Sequence, residues 1–188
     1  MKRLRKYYQD IYSYEESEKS FAIDVSLDAY EDVYDEWDAS PFKKRDIEDE
    51  FDDFIMDSSS DIPLKYGLLI DLFLPKSVHS EKKEKLLVEA YVNFYEYKLR
   101  RELKIKQGLQ RKVFNYFILA MLFLFFGYFY SPSMESIFLK IVKEGIFIGG
   151  WVFLWEVFTL LFITISEENR EVRMLKRLLL AKIRFIYQ

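Results

Sequence analysis

Cysteine is absent from the 188-residue chain. Its absence excludes disulfides, thiolate metal sites and a cysteine nucleophile, and it fits a domain on the reducing side of a membrane. The single histidine, His79, stands in the loop segment PKSVHSEKK and is predicted to be solvated. Serine-hydrolase, glycine-rich phosphate-loop and zinc-protease motifs are also missing. We therefore predict no enzymatic activity, no catalytic residue, no metal and no cofactor.

Acidic residues are plentiful, but they do not form a recognisable metal site. The cluster Asp46, Asp49, Glu50 and Asp53 lacks the glycine and the terminal glutamate that a calcium-binding loop requires. A solvated helix face opposite an apolar one explains this cluster better. The acidic segment YEDVYDEWDASPF, residues 30–42, is predicted to dock a basic partner, either another protein or the basic helix of the same chain.

Charge is distributed unevenly along the chain. Residues 1–75 hold 9 Lys/Arg and 20 Asp/Glu, residues 76–112 hold 11 and 5, and residues 113–188 hold 8 and 6. An acidic head therefore precedes a basic neck, which leads directly into apolar sequence. The neck is expected to contact anionic lipid headgroups rather than nucleic acid, through Arg100, Arg101, Lys104, Lys106, Arg111 and Lys112.

Two long stretches have almost no charge. Residues 113–130 are all uncharged, and within residues 145–165 only Glu156 is charged. A hydrocarbon core of about 30 Å requires about 20 helical residues to cross it. Because no other long apolar segment could bury these two inside a soluble core, we predict a transmembrane hairpin. The surplus of Lys and Arg in residues 98–112 and 170–184 predicts that both termini are cytoplasmic and that the protein resides in the cell membrane.

The connection between the spans allows two interpretations. Apolar and polar residues occupy opposite faces of a helix over residues 134–144, which predicts a short interfacial helix that bends inward near Gly145. The alternative is one long, tilted second helix whose lysines extend towards the headgroups.

Glu156 is the candidate functional residue of the membrane region. It shares a helical face with Gly145 and Gly149, and the first span has small residues at Ala120 and Gly127. These four small residues are predicted to pack the helices together and to aim Glu156 at a helix rather than at lipid. Its partner could be Trp151, Trp155 or Thr159 of a neighbouring subunit, a second Glu156, or a permeating ion.

Three segments alternate as strands: residues 20–28, 66–75 and 182–188. The second is apolar on both faces and is predicted to be central. A helix beginning at Ser40 and Pro41 would complete a strand–helix–strand unit. No proline occurs between Pro75 and Pro132, so one long helix is predicted from about Glu81 into the first span. A further helix is predicted over residues 167–180, capped by Ser166.

These patterns predict an α+β membrane protein of three parts. Residues 1–112 form a cytoplasmic domain with a basic neck helix, residues 113–165 form the hairpin, and residues 166–188 return to complete the domain. The segments WDASPFKKRDIEDEFDDF, SSSDIPLKY and EGIFIGGWVFLWE resemble those of small, uncharacterised prokaryotic membrane proteins with two transmembrane helices and a cytoplasmic α+β domain. That resemblance implies a topology and no activity.

The function predicted from the sequence is that of an oligomeric membrane anchor, scaffold or interaction module. One alternative is an oligomeric effector or channel with Glu156 lining its path. A membrane-bound enzyme is the third interpretation, and no motif favours it.

Overall fold

The computed structural model describes residues 7–35, 46–129 and 137–188. The predictions for Ser40, Pro41 and residues 134–136 lie outside these ranges. The chain divides into two units, which we call the sheet unit, residues 1–100 and 172–188, and the helical unit, residues 101–171. The fold is α+β.

A four-stranded sheet organises the sheet unit. Its strands are β1 (Ser13–Glu15), β2 (Ser20–Ser26), β3 (Gly67–Leu74) and β4 (Lys182–Tyr187), in the order β1-β2-β3-β4. β1 is antiparallel to β2, whereas β2, β3 and β4 run parallel. The three strands predicted from alternation are present, and β3 is central as predicted. β4 follows the helical unit in sequence, so residues from both ends of the chain complete one sheet.

Helices complete both units. They are α1 (Tyr8–Ile11), α2 (Asp49–Asp61), α3 (Glu81–Phe129), α4 (Ile137–Thr159) and α5 (Ile165–Leu179), with a π-helical turn at Leu160–Thr164 joining α4 to α5. The long uninterrupted α3 confirms the prediction from the missing prolines. Ser166 lies inside this helical run and does not cap a helix, which corrects the prediction, because the backbone stays helical through the π-helical turn.

α2 begins at Asp49, later than the sequence pattern suggested within the described residues. Ile47 instead forms an isolated antiparallel bridge with Tyr34. Backbone hydrogen bonds from Asp35 to Asp46 and from Glu48 to Val33 hold this segment extended. Tertiary pairing therefore overrides the helical periodicity of residues 46–48.

The core lies between one sheet face and three helices. β2 and β3 contribute Phe21, Ile23, Ile70 and Leu72, each at most 2% exposed. Side chains from α2, α3 and α5 join them in one hydrophobic cluster that includes Ile55, Leu87, Tyr91, Leu175 and Leu178. Burial of these large apolar groups is the main stabilising contribution to the sheet unit.

Three buried charges hold distant segments of this unit together. Asp71 on β3 accepts two hydrogen bonds from the guanidinium of Arg184 on β4, one of 2.6 Å from Nε. Asp52 on α2 accepts a hydrogen bond of 2.9 Å from Tyr95 and pairs with Lys98. The third charge, Arg177, has no carboxylate partner among the described residues.

Arg177 closes the C-terminal end of α2. Its guanidinium donates hydrogen bonds to the carbonyl oxygens of Ser59, Ile62 and Pro63 and to the Ser59 hydroxyl. The last carbonyl groups of a helix lack intrahelical partners and carry partial negative charge, so a cation fits there. Burial lowers the pKa of Arg177 to about 10, which leaves the side chain charged at neutral pH.

Candidate functional site in the helical unit

Two helices in the described residues are long and apolar enough to cross a membrane, α3 and the continuous run Ile137–Leu179. Only 11% and 17% of their most apolar windows are buried, whereas a core helix of a soluble protein is covered on most sides. The exposed side chains are large: Phe129, Trp155 and Phe162 are 66%, 74% and 72% exposed. Apolar surface of this extent is typical of a protein that meets lipid or another protein.

The two helices pack through glycines. A Cβ atom added to Gly127 would lie 2.8 Å from Cβ of Phe147 and 3.0 Å from its Cα. One added to Gly150 would lie 3.0 Å from the backbone nitrogen of Leu124. Ala120, which is fully buried, lies in the same apolar helix as Gly127. Small residues are what permit two helix backbones to approach this closely.

The other two predicted packing residues behave differently. A Cβ on Gly149 would be 3.2 Å from the Phe123 ring, so this glycine borders the contact. At Gly145 a Cβ would meet no atom within 4 Å. Gly150, which the sequence interpretation left out, makes the closer approach instead. The two glycines lie on different sides of α4: Gly150 is buried against Leu124 of α3, whereas Gly145 is exposed.

No break separates residues 137–144 from the apolar stretch that follows, because both belong to α4. The bend expected near Gly145 is therefore absent from the secondary structure. A glycine costs a helix interior only about 1 kcal/mol, and the backbone hydrogen bonds of α4 continue through it. α4 is thus continuous on both sides of Gly145, whereas its tilt and the depth of residues 137–144 in a membrane stay predictions.

Glu156 is half-buried at the edge of the contact between α3 and α4. Within the described residues it has no hydrogen-bonding or ion-pairing partner. The predicted partners Trp151, Trp155 and Thr159 belong to a neighbouring subunit, and that stays a prediction. In one chain Trp151 and Trp155 are mostly exposed, and Thr159 donates its hydroxyl to the Trp155 carbonyl oxygen at 3.2 Å. Glu156 is thus half-buried, and its carboxyl group has no partner in the part of the chain that the structure describes.

The basic neck residues all lie on α3, and most of them face solvent. Arg100 forms an ion pair of 3.0 Å with Glu96 one helical turn away. Lys106 is half-buried, whereas Arg101, Lys104 and Arg111 are exposed. Lys112 is exposed too, with its ammonium 5.3 Å from the centre of the Tyr116 ring. The neck offers cationic groups around the helix rather than one shaped pocket.

Glu102 on α3 and Glu168 on α5 lie close together within the helical unit. Burial and the like-charged Glu102 raise the pKa of Glu168, with Glu171 and Glu167 adding to the effect. The Oε2 atom of Glu168 is buried and has no hydrogen-bond partner in the described residues. Because the pKa is higher in the folded protein than in the unfolded chain, ionisation of Glu168 opposes this helix contact. The contact therefore strengthens as the pH falls.

His79 is less isolated than its sequence context indicated. Its ring lies edge-on to Tyr187 at 4.6 Å, and Nε2 is 3.6 Å from a carboxylate oxygen of Glu84. The Tyr187 hydroxyl also hydrogen-bonds Glu84 and contacts the Tyr30 hydroxyl at 2.6 Å. Long-range pairing of β4 creates this cluster, so local sequence carried no signal for it. The acids Asp46, Asp49, Glu50 and Asp53, by contrast, are exposed as predicted.

No group of three or more metal-ligating side chains occurs among residues 7–35, 46–129 and 137–188. Comparison of the chain with protein-family models, curated proteins and solved structures finds no match.

Proposed function

We propose that this protein is a two-span membrane protein that anchors a small cytoplasmic α+β domain and acts, as an oligomer, as a scaffold or interaction module. The observation that carries the proposal is the exposure of both apolar helices, of which less than a fifth of the apolar window is buried. Exposure of so large an apolar surface to water is energetically unfavourable, whereas its contact with lipid chains is not. The cationic neck supports a cytoplasmic position for the sheet unit.

The proposed topology predicts which positions an impermeant reagent can reach. The chain has no cysteine, so single cysteines can be introduced by Ser17→Cys, Ser133→Cys and Gln188→Cys. In sealed right-side-out vesicles we expect a membrane-impermeant maleimide to label only the Ser133→Cys variant. In inside-out vesicles it should label only the other two. Labelling of the Ser17 and Gln188 variants on opposite sides would contradict the topology.

Assembly into oligomers is supported by the surface that one chain leaves open. Gly145 and Val152 are exposed, and Glu156 beside them lacks an internal partner. A carboxyl group within an apolar span is costly unless another polar group reaches it. A second copy of the same face would supply both a small-residue contact and a hydrogen-bonding partner.

Substitution of Glu156 tests this assembly. We expect Glu156→Leu to weaken self-association about 3- to 30-fold, the range that one interhelical hydrogen bond contributes, whereas Glu156→Gln should retain it. Light scattering of the detergent-solubilised protein at several concentrations measures the change. The matched control is Glu144→Leu, which makes the same change at an exposed position of α4. Equal association of Glu156→Leu and the control would contradict the role of Glu156.

A channel is the second candidate, and the unpartnered Glu156 is the observation that favours it. In this alternative the carboxylates of several subunits would face a hydrated path. Liposomes containing the wild-type protein would then conduct ions, and Glu156→Gln would alter the flux. Absence of flux in both forms would exclude the channel while leaving the scaffold unaffected.

A further inference from the structure

A cavity of about 460 Å³ opens in the sheet unit where β2, β3 and β4 begin. The three parallel strands start at the same sheet edge, with Ser20 paired to Gly67 and Leu69 to Lys182. α5 brings three cationic side chains to this edge, because positions 173, 176 and 177 share one helical face. The basic cavity, as we call it, is lined by Lys65, Arg173, Lys176, Arg177 and Lys182.

Positive charge in this cavity is not balanced from within. Among the described residues that line it, Glu18 is the one carboxylate, and it already pairs with Lys182 at 2.9 Å. The partial negative charges at the C-terminal ends of α2 and α5 amount to about half an elementary charge each, which is too small to balance Lys65, Lys176 and Arg177. The whole chain carries a net charge of −3, so this cluster is opposite in sign to the chain as a whole.

Arg177 gives the cavity a fixed charge. It is only 8% exposed, and its hydrogen bonds to carbonyl oxygens hold the guanidinium in place without neutralising it. Its Nε atom is buried and has no hydrogen-bond partner among the described residues. A buried guanidinium without a carboxylate attracts an anion strongly because the local dielectric constant is low.

The other residues that line the cavity indicate which chemical groups a bound anion would carry besides its negative charge. Lys65 and Lys176 are exposed and can turn towards a ligand, and the Lys65 ammonium lies 4.7 Å from the centre of the Tyr66 ring. Leu64 and Leu180 are 38% and 86% exposed beside these cations. A ligand with both a charged group and an apolar or ring-shaped group matches such a mixture. The volume also falls within the range of small-molecule sites.

From this arrangement we infer that the basic cavity binds a phosphate-bearing anion, held by Lys65, Arg173, Lys176 and Lys182 next to the fixed guanidinium of Arg177. A phosphate group carries up to two negative charges and three acceptor oxygens, which suits several converging cations. All of these residues belong to the sheet unit. The inference therefore stands or falls independently of the proposed membrane anchoring.

Calorimetry of the full chain in a maltoside detergent, at 50 mM NaCl, tests the inference with three probes. These are pyrophosphate, glycerol 3-phosphate and dihexanoyl phosphatidic acid, a short-chain phospholipid that dissolves as a monomer. We expect at least one probe to bind, with an affinity that falls as NaCl is raised. Tighter binding of the phospholipid than of glycerol 3-phosphate identifies a lipid headgroup as the source. Equal or weaker binding of the phospholipid identifies a soluble phosphate ester.

A pair of double variants separates the cavity from general positive charge. Lys65→Gln/Lys176→Gln removes two exposed cations of the cavity and should weaken binding at least about tenfold, the loss expected from one charge-assisted hydrogen bond. Lys82→Gln/Lys85→Gln removes two exposed cations of α3 that lie outside the cavity and are not among the predicted headgroup-contacting residues of the neck, and it should retain the wild-type affinity. Thermal unfolding without ligand checks that both variants fold. Failure of every probe to bind, or equal losses in the two variants, would overturn the inference.

Discussion

Replacing Arg177 with methionine is expected to lower the free energy of unfolding by about 3 kcal/mol or more. The methionine fills the space of the aliphatic stem but leaves the buried carbonyl oxygens of Ser59 and Ile62 without their donor, while the Pro63 oxygen keeps its hydrogen bond from the Tyr66 N–H at 3.0 Å. Each buried acceptor that loses its partner costs about 1–3 kcal/mol. For a chain of this size the change corresponds to a decrease in melting temperature of about 6–12 °C.

Two further variants show whether the loss of stability comes from the hydrogen bonds of Arg177. Lys176→Met changes the neighbouring, exposed residue of α5 and should alter the unfolding free energy by no more than about 0.5 kcal/mol. Arg177→Lys keeps the charge but loses the planar fork that reaches several carbonyl groups at once, so it should fall between the other two. Thermal unfolding in detergent, followed by circular dichroism, provides the comparison. Arg177→Met would have to be as stable as Lys176→Met for this account to be wrong.

The strands and long helices could be predicted because their signals are local. The alternation over residues 20–28 and 66–75 predicts strands with a buried face, and the long apolar runs predict helices. Each of these predictions needs only the sequence of the segment itself. β1 was missed since its three residues, SYE, are too short to alternate. Its pairing depends on the turn between β1 and β2, where Lys19 adopts a left-handed backbone with φ of 50°.

Buried charged residues could not be predicted from these local patterns. Periodicity placed Asp49, Glu50 and Asp53 of α2 on a solvated face, and it gave no sign of what the neighbouring Asp52 does. Asp52 is only 6% exposed, because Tyr95 and Lys98, more than 40 positions away, satisfy its carboxylate. Arg177 and the basic cavity depend in the same way on β3, α2 and α5 meeting in space. Contacts between residues so far apart in the sequence produce no pattern within a single segment, so local sequence does not predict them.

The glycines of α4 that the spacing singled out differ from the one that lies closest to α3: Gly150 lies against Leu124, whereas Gly145 is exposed. Spacing identified the glycine-rich part of α4, but it could not choose between the faces that begin at Gly149 and Gly150, since adjacent residues differ by only about 100° around a helix. That choice depends on which side chains of α3 lie opposite. Phe123 and Leu124 occupy that position, and Gly150 is the residue nearest to a backbone atom of α3.

Gly150→Ala and Gly145→Ala should therefore have opposite effects on stability. At Gly150 the new methyl group would lie 2.8 Å from Cγ and 3.0 Å from the backbone nitrogen of Leu124. A backbone atom cannot rotate away, so the helices must separate, at a cost of about 1–3 kcal/mol. At Gly145 the methyl group meets open space, and the higher helix propensity of alanine contributes up to about 1 kcal/mol of stabilisation.

The difference between the two variants is then about 1–4 kcal/mol. It can be measured by titrating detergent micelles with dodecyl sulfate and following the fluorescence of Trp151 and Trp155, both of which lie on α4. Gly108→Ala, in an open position of α3, is the control for helix propensity alone and should resemble Gly145→Ala. If Gly150→Ala proved as stable as these two, the close approach of the helices at Leu124 would be refuted. If Gly145→Ala kept the stability of the hairpin but reduced self-association, the outward face at Gly145 would be the one that a second copy covers.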